Sequence, residues 1–429
     1  MSPDITLQVP TAHTGVARAV SVRPALVAGG LFLVVSSLLF YRSSIGGLEL
    51  RDFRDAIYYP VVSLLDGNNP YDTAAYFRTY PVQQEFPPYL PGLLALHLPL
   101  ALFHYDAAQI VYFALTAMLT LLLAWVTLLA CGLSATVARA CALGTLIILS
   151  RPGCWNLALG QVTVPMVIGT YLALRFAEER PWLAALGLAL ALLKPTYGVP
   201  VSALLLARKE IRVVLLGGVI AGLISAGPMV ALIHAAGGPA NWVASLRDSY
   251  AGFTADPSAG ATSSPDRVDA AVLAARLLGH APSAAEAIGI SVLVLGLGAL
   301  AVWRLRDAAN EGARTLSNGL ACLTVLTCMY HQAYDILAVT LPLTALATKR
   351  WAPASVRPAL RWLLLVMLSI PAANYLCAGR ILSSLDVTGP GWKALTAVNG
   401  AALTAAWCVY LLVALRNARE SALPVREPV

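Results

Sequence analysis

Long apolar runs alternate with short polar connections from Ala25 onward. Most runs lack the strict alternation of a strand and are too long for one, so each predicts a helix. A bilayer crossing needs about 20 apolar residues, fewer where the helix packs against protein. Candidate spans fall at 25–41, 88–104, 107–130, 136–150, 159–176, 182–207, 211–235, 289–303, 315–330, 332–348, 359–376 and 395–415. The pattern therefore predicts an all-α polytopic membrane protein with about twelve transmembrane helices.

Charge orients this array. The basic connections are ARKEIR (207–212), RLRDAANEGAR (304–314), KRWAPASVRPALR (349–361) and the tail after Arg416. Lys and Arg accumulate on the cytoplasmic side of membrane proteins. All four connections share that side if the 182–207 run is one span broken at Lys194-Pro195. Read as two hairpin arms, the same run breaks the parity. A mid-helix proline removes a backbone hydrogen bond and kinks the helix, which favours the broken span. The expected layout is a cytoplasmic tail (1–24), a single membrane domain (25–415) and a second cytoplasmic tail (416–429). The first apolar run lacks a convincing signal-peptide cleavage site and reads as a retained anchor. Two long segments lie outside, at 42–87 and 236–288. The first carries helical spacing in DAIYYPVVSLL and AAYFRTY, which suggests short helices along the outer surface. The second is rich in Gly, Ser, Pro and Asp.

Composition agrees. The chain has 429 residues, 58% hydrophobic and 12% charged, where soluble domains carry about 25% charge. The net charge of +7 reflects cytoplasmic Lys/Arg bias and does not indicate nucleic-acid binding. Seven cysteines, with no C-x-x-C pair, read as buried structural thiols.

Charge inside or beside a membrane is costly and usually functional. Asp52 and Asp55, in RDFRDAIYYP, lie just past the first span. A carboxylate here can take a proton from a hydroxyl, and Arg51 and Arg54 can hold a phosphate by paired hydrogen bonds. A solvated charge pair neutralised by those arginines is the plainer alternative. Tyr58, Glu85 and Tyr89 offer contacts for a polar substrate, or serve loop architecture alone. In MYHQAYDILAV, His331 and Asp335 share a helical face on the outer side, with Tyr334 beside them. Lys194 falls near mid-membrane and faces a cavity or an anion, or else snorkels if its run is a hairpin. Arg151 and Gln161 are weaker candidates. No phosphate-binding glycine loop, dinucleotide fold or metal-ligand cluster appears, so no cofactor and no metal are expected. An activated donor would arrive through the lipid.

Four stretches, DFRDAIYYPVVSLLDGNNPYD, FPPYLPGLLALHLPL, LALALLKPTYGVPVSALLLARKEIR and YHQAYDILAVTLP, resemble glycosyltransferase family 87 in content and order. That family belongs to the GT-C membrane glycosyltransferases and includes bacterial mannosyl- and arabinofuranosyltransferases. The resemblance implies a GT-C-like fold and a polyprenyl-phosphate sugar donor held in the lipid bilayer. It implies transfer to a glycolipid or glycan acceptor on the periplasmic or exterior face of a bacterial plasma membrane. It places the base at Asp52 and a functional histidine at His331, with mannose ranked before arabinofuranose. Asp55 is extra to the family pattern, and family members vary in the stretch that carries Asp335. One base and one displacement imply inversion at the anomeric carbon. A transporter or flippase for a lipid-linked or polar substrate is the alternative, and it would place charged residues on both sides of the midplane.

Overall fold

The computed structural model describes residues 22–45, 50–307, 310–352 and 357–421. Among them the chain is helical, and its one β feature is an isolated bridge between Arg267 and Gln332. Six helices are long and apolar enough to cross a membrane: Arg23–Ser44, Tyr105–Ala130, Ile211–Ala235, Ala284–Leu305, Pro358–Cys377 and Gly389–Arg419. A seventh arises if Val137–Leu149 and Arg151–Leu159, bent by 82°, count as one span. This is a multi-pass membrane architecture. The other apolar runs form shorter helices, among them Thr163–Phe176, Pro181–Leu192 and Pro195–Ala207. The 14 residues of Thr163–Phe176 make about 21 Å of helix at 1.5 Å per residue, short of a hydrocarbon core of about 30 Å. Glu311–Cys328 is buried along nearly its whole length and forms a central post.

Two expected spans need correction. The 182–207 run is not one broken span but two antiparallel arms. At the start of the second arm, Lys194 meets Thr163; beyond its end, Arg208 donates to the Leu174 carbonyl at 2.9 Å. The second arm thus runs parallel to Thr163–Phe176, which itself pairs antiparallel with the first arm through Gly169 and Gly187. A Cβ on Gly169 would come within 2.4 Å of the Gly187 carbonyl oxygen, so this close approach requires glycine. Proline and lysine at 194–195 make a turn here because Lys194 adopts extended backbone and Pro195 begins a new helix. The second correction is 88–104, which does not cross. Its inner end at Gly92 packs on Leu193 and Ser225, the latter just past the middle of the Ile211–Ala235 helix. Its other end returns to the first outer loop, where Phe103 accepts a hydrogen bond from Tyr58 at 2.9 Å. Six or seven helices reach crossing length among the described residues, so the expected count of about twelve is not confirmed. Arg208, bonded to Asn318, lies at the end of the bundle that carries the ion pairs of Arg314 with Glu178 and Glu179.

The first outer loop forms short helices, over 51–65 and Thr73–Thr79, the second capped by Asp72. These pack into a small core of their own, with Val61, Tyr71, Tyr76, Phe86 and Leu94 buried against Leu232. The buried hydroxyls are satisfied: Tyr71 donates to the Tyr89 carbonyl and Tyr76 to the Asp55 carbonyl. This core seats the loop on the C-terminal end of the Ile211–Ala235 helix and positions the acidic residues that precede it.

Candidate active site

Asp52 stands at the start of the 51–65 helix. Leu50 before it takes a left-handed conformation (φ 46°), which turns the chain sharply into the first helical turn. Residues Arg54–Tyr58 form a π-helical turn, a wide and uncommon geometry that recurs at functional sites. Asp52 is only 8% exposed. It accepts hydrogen bonds from the side-chain amides of Gln84 (3.0 Å) and Gln161, and Arg51 Nε lies 3.7 Å away. Burial raises its pKa above the usual aspartate range; Arg51 and the two amides partly oppose that rise.

Gln161 is placed by the turn between the Arg151–Leu159 and Thr163–Phe176 helices. Gly160 ends the first of these in a left-handed conformation (φ 71°). A Cβ on Gly160 would sit 2.5 Å from Phe53 Cβ. Only glycine therefore satisfies both the backbone angle and the approach of the Asp52 helix. Two residues beyond Gln161, the Thr163 hydroxyl donates to Asp335 Oδ1 at 3.0 Å. One four-residue turn thus touches both acidic centres.

Asp335 is fully buried and heavily bonded. Lys194 Nζ lies 2.5 Å from Oδ1, with the Tyr197 hydroxyl at 3.3 Å from the same oxygen. The backbone N–H of Gln332 donates to Oδ2 at 3.0 Å, and His331 Nδ1 is 3.2 Å from that oxygen. The His331 ring is fully buried and meets Tyr197 edge-on at 4.8 Å. Neither ring nitrogen attains hydrogen-bond geometry with a protein group. Lys194 also sits 5.0 Å from the Tyr334 ring. Lys194 therefore caps the hairpin apex inside the bundle rather than snorkelling to a surface. The two carboxylates are linked through the Gly160–Thr163 turn, Asp52 by Gln161 and Asp335 by Thr163, and the Leu90 N–H donates to the Leu193 carbonyl, which brings the Tyr89 segment up to Lys194.

The structure thus gathers Asp52, Arg51, Tyr89, Lys194, Tyr334, His331 and Asp335 around the Gly160–Thr163 turn. Other residues singled out in the sequence stand apart. Asp55, with no exposed surface, is bound by Arg54 Nε at 2.7 Å and by the Gln83 backbone N–H. Tyr58 is engaged with the Phe103 carbonyl. Glu85 packs against Gly252 of the second outer loop, and burial together with Asp256 raises its pKa. Arg151 is bonded to Asp266 and the Cys377 carbonyl.

A polar centre of this kind, deep in a helical bundle beneath the folded 50–87 segment, suits chemistry on a hydroxyl-bearing substrate. The model of glycosyltransferase family 87 matches residues 87–330, more than half of the chain. The chain belongs to glycosyltransferase family 87. It is accordingly a membrane glycosyltransferase, with sugar donor and acceptor as its substrates. The family 87 match spans Tyr89, Gln161, Thr163 and Lys194, begins after Asp52 and ends one residue before His331. No curated protein and no solved structure matches the chain.

Sequence reasoning about this family 87 enzyme overlooked Gln84, Thr163 and Tyr197, and ranked Gln161 low. The one signal for Gln161 was a Gly-Gln pair closing a short helix in apolar surroundings. Gln84, in the polar run VQQE, and Thr163 and Tyr197 carried none. Among the described residues no group of three or more His, Cys, Asp or Glu side chains is arranged to hold a metal.

Proposed function

We propose that this glycosyltransferase uses a polyprenyl-phosphate sugar, mannose ranked before arabinofuranose, and transfers it to a glycolipid or glycan at the outer face of a bacterial plasma membrane. The observation that carries the reading is the shared turn at Gly160–Thr163, which holds an amide-bonded carboxylate beside a buried Lys–Asp–His group. Asp52 takes the proton from the acceptor hydroxyl while its oxygen bonds to the anomeric carbon. The bond from that carbon to the phosphate oxygen breaks, and polyprenyl phosphate leaves with the electron pair. The proton then passes from Asp52 to solvent. A phosphate leaves without a strong general acid; Arg51 and Lys194 offset its charge as it departs. His331 steadies the phosphate or the acceptor hydroxyl. A single displacement inverts the anomeric centre.

Support for a lipid-borne donor comes from the all-helical architecture, which offers no soluble nucleotide-sugar domain among the described residues. The test is transfer by purified protein in lipid, with polyprenyl-phosphate-mannose and polyprenyl-phosphate-arabinofuranose supplied separately to a lipid and glycan extract. Wild type is expected to consume one donor and Asp52→Asn to lose that activity. If neither donor is consumed across a broad acceptor panel, the donor assignment fails and a transport role gains.

A further inference from the structure

A cavity of about 550 Å³ opens at the same end of the bundle as His331. Small-molecule sites usually occupy roughly 300–1,000 Å³. Pro265, Leu382, Ser383, Asp386, Thr388 and Trp392 line it. This mixture has a definite chemistry. An indole with apolar neighbours packs on the C–H face of a sugar ring, while a carboxylate and hydroxyls bond the ring's hydroxyl groups.

Two features indicate a built site. Trp392 is backed by the buried Arg276 guanidinium, 6.0 Å from the ring, and Arg276 is itself held by the Ser264 and Thr396 carbonyls. The indole is thus steadied from the protein side and lines the cavity on the other. Asp386 occupies the left-handed position (φ 48°) just past the Gly379–Ser384 helix. The hydrogen bonds there, Val387 N–H to the Leu382 carbonyl and Asp386 N–H to the Ser383 carbonyl, form the helix ending in which glycine is the unstrained residue. An aspartate in that place puts a carboxylate on the cavity rim where glycine would close the helix with less strain.

The cavity is also tied to the active site. Pro265 in its wall adjoins Asp266, which bonds Arg151 at 2.5 Å. Arg151 begins the nine-residue helix whose other end leads through Gly160 to Gln161 and Asp52. At 1.5 Å per residue that helix is about 14 Å long, a length comparable to a few sugar units.

We infer that this cavity is a distal acceptor subsite that binds an interior sugar of a glycan whose reactive hydroxyl lies at Asp52. The inference rests on the glycosyl-transfer reading above, and it selects for acceptors longer than one sugar.

The test uses full-length protein in lipid nanodiscs with alkyl glycosides of one to six mannose or arabinofuranose units. Wild type should show a KM that falls once the acceptor is long enough to reach the cavity. Asp386→Gly, which suits the left-handed turn, should raise KM for the long acceptors about tenfold, the effect of one charged hydrogen bond. It should leave the one-sugar acceptor unchanged and should not lower the thermal midpoint. Trp392→Ala should act in the same direction. A KM independent of length in wild type, or a length dependence that survives both substitutions, overturns the subsite. If wild type transfers from neither donor, the donor reading fails separately. Calorimetric binding of the six-sugar glycosides to wild type and Asp386→Gly then decides: weaker binding by the variant upholds the subsite, and equal binding overturns it.

Discussion

Two buried carboxylates are held by one turn and are treated in opposite ways. Asp335 has Lys194, Thr163, Tyr197 and the Gln332 N–H directed at it, with His331 Nδ1 3.2 Å away. Asp52 has two neutral amides and one arginine at 3.7 Å. A fully compensated charge is a structural anchor, because removing any partner leaves an expensive orphan. An under-compensated one holds its proton more readily and so makes a better base. On this difference we propose Asp52 as the base and Asp335 as the anchor that holds Lys194 in place.

The sharpest way to break the comparison is to neutralise each acid in turn. Asp52→Asn keeps the shape, can accept from one glutamine amide and can donate to the other once that amide turns over, and removes the base, so transfer should drop by about 10²–10⁴-fold. Because burial raises the Asp52 pKa, the folded state disfavours its ionised form, and stability is lost as pH rises from the unfolded pKa through the folded one. The asparagine variant should therefore melt slightly above wild type at neutral pH. An inactive but less stable Asp52→Asn would point to a structural carboxylate instead.

Next comes Lys194→Met, which strands Asp335 in the bundle. Breaking a buried pair costs about 3–5 kcal/mol. Thermal unfolding in detergent should show that loss, and the double variant Lys194→Met/Asp335→Leu should recover much of it. Failure of the second substitution to restore the midpoint would mean that the pair is not the anchor described here.

Gly160→Ala tests the link between the two centres. A β-carbon there meets Phe53 at 2.5 Å in a left-handed backbone, so a loss of about 1–3 kcal/mol is expected, with reduced transfer. Unchanged activity with unchanged stability would argue that the turn does not position Asp52.

The smallest effect concerns pH. Transfer should rise with pH through the elevated Asp52 pKa, so the acid limb of kcat/KM lies above the ordinary aspartate value of about 3.9. The Gln161 amide stabilises the ionised form. Gln161→Leu should therefore push that limb to higher pH and lower the rate by about tenfold, the worth of one hydrogen bond to a charged group. A limb that stays put in this variant would remove Gln161 from the site.

Much of the candidate site was legible in the chain because charge is rare in it. Asp52, Lys194, His331 and Asp335 stand out against apolar neighbours, since a buried charge must be matched or it destabilises the fold. Gln84, Thr163 and Tyr197 did not stand out, because a single hydroxyl or amide is tolerated in many places and acquires meaning only from its partner. The spans at 88–104 and 182–207 were misread for a different reason. Hydrophobicity reports that a segment is buried, not whether it crosses or turns back. The turn at Lys194 depends on Asp335, 141 positions later, to neutralise it.

The sequence alone determined a helical membrane protein, its likeness to family 87 and the few ionisable residues worth suspicion, because apolar length and scarce charge are local properties. Tertiary structure decided the direction of each short helix and the pairing of Lys194 with Asp335. It also decided the meeting of Gln161 with Asp52. These depend on close approach at Gly160 and Gly169, where packing between distant segments selects one arrangement among several that the same apolar pattern allows.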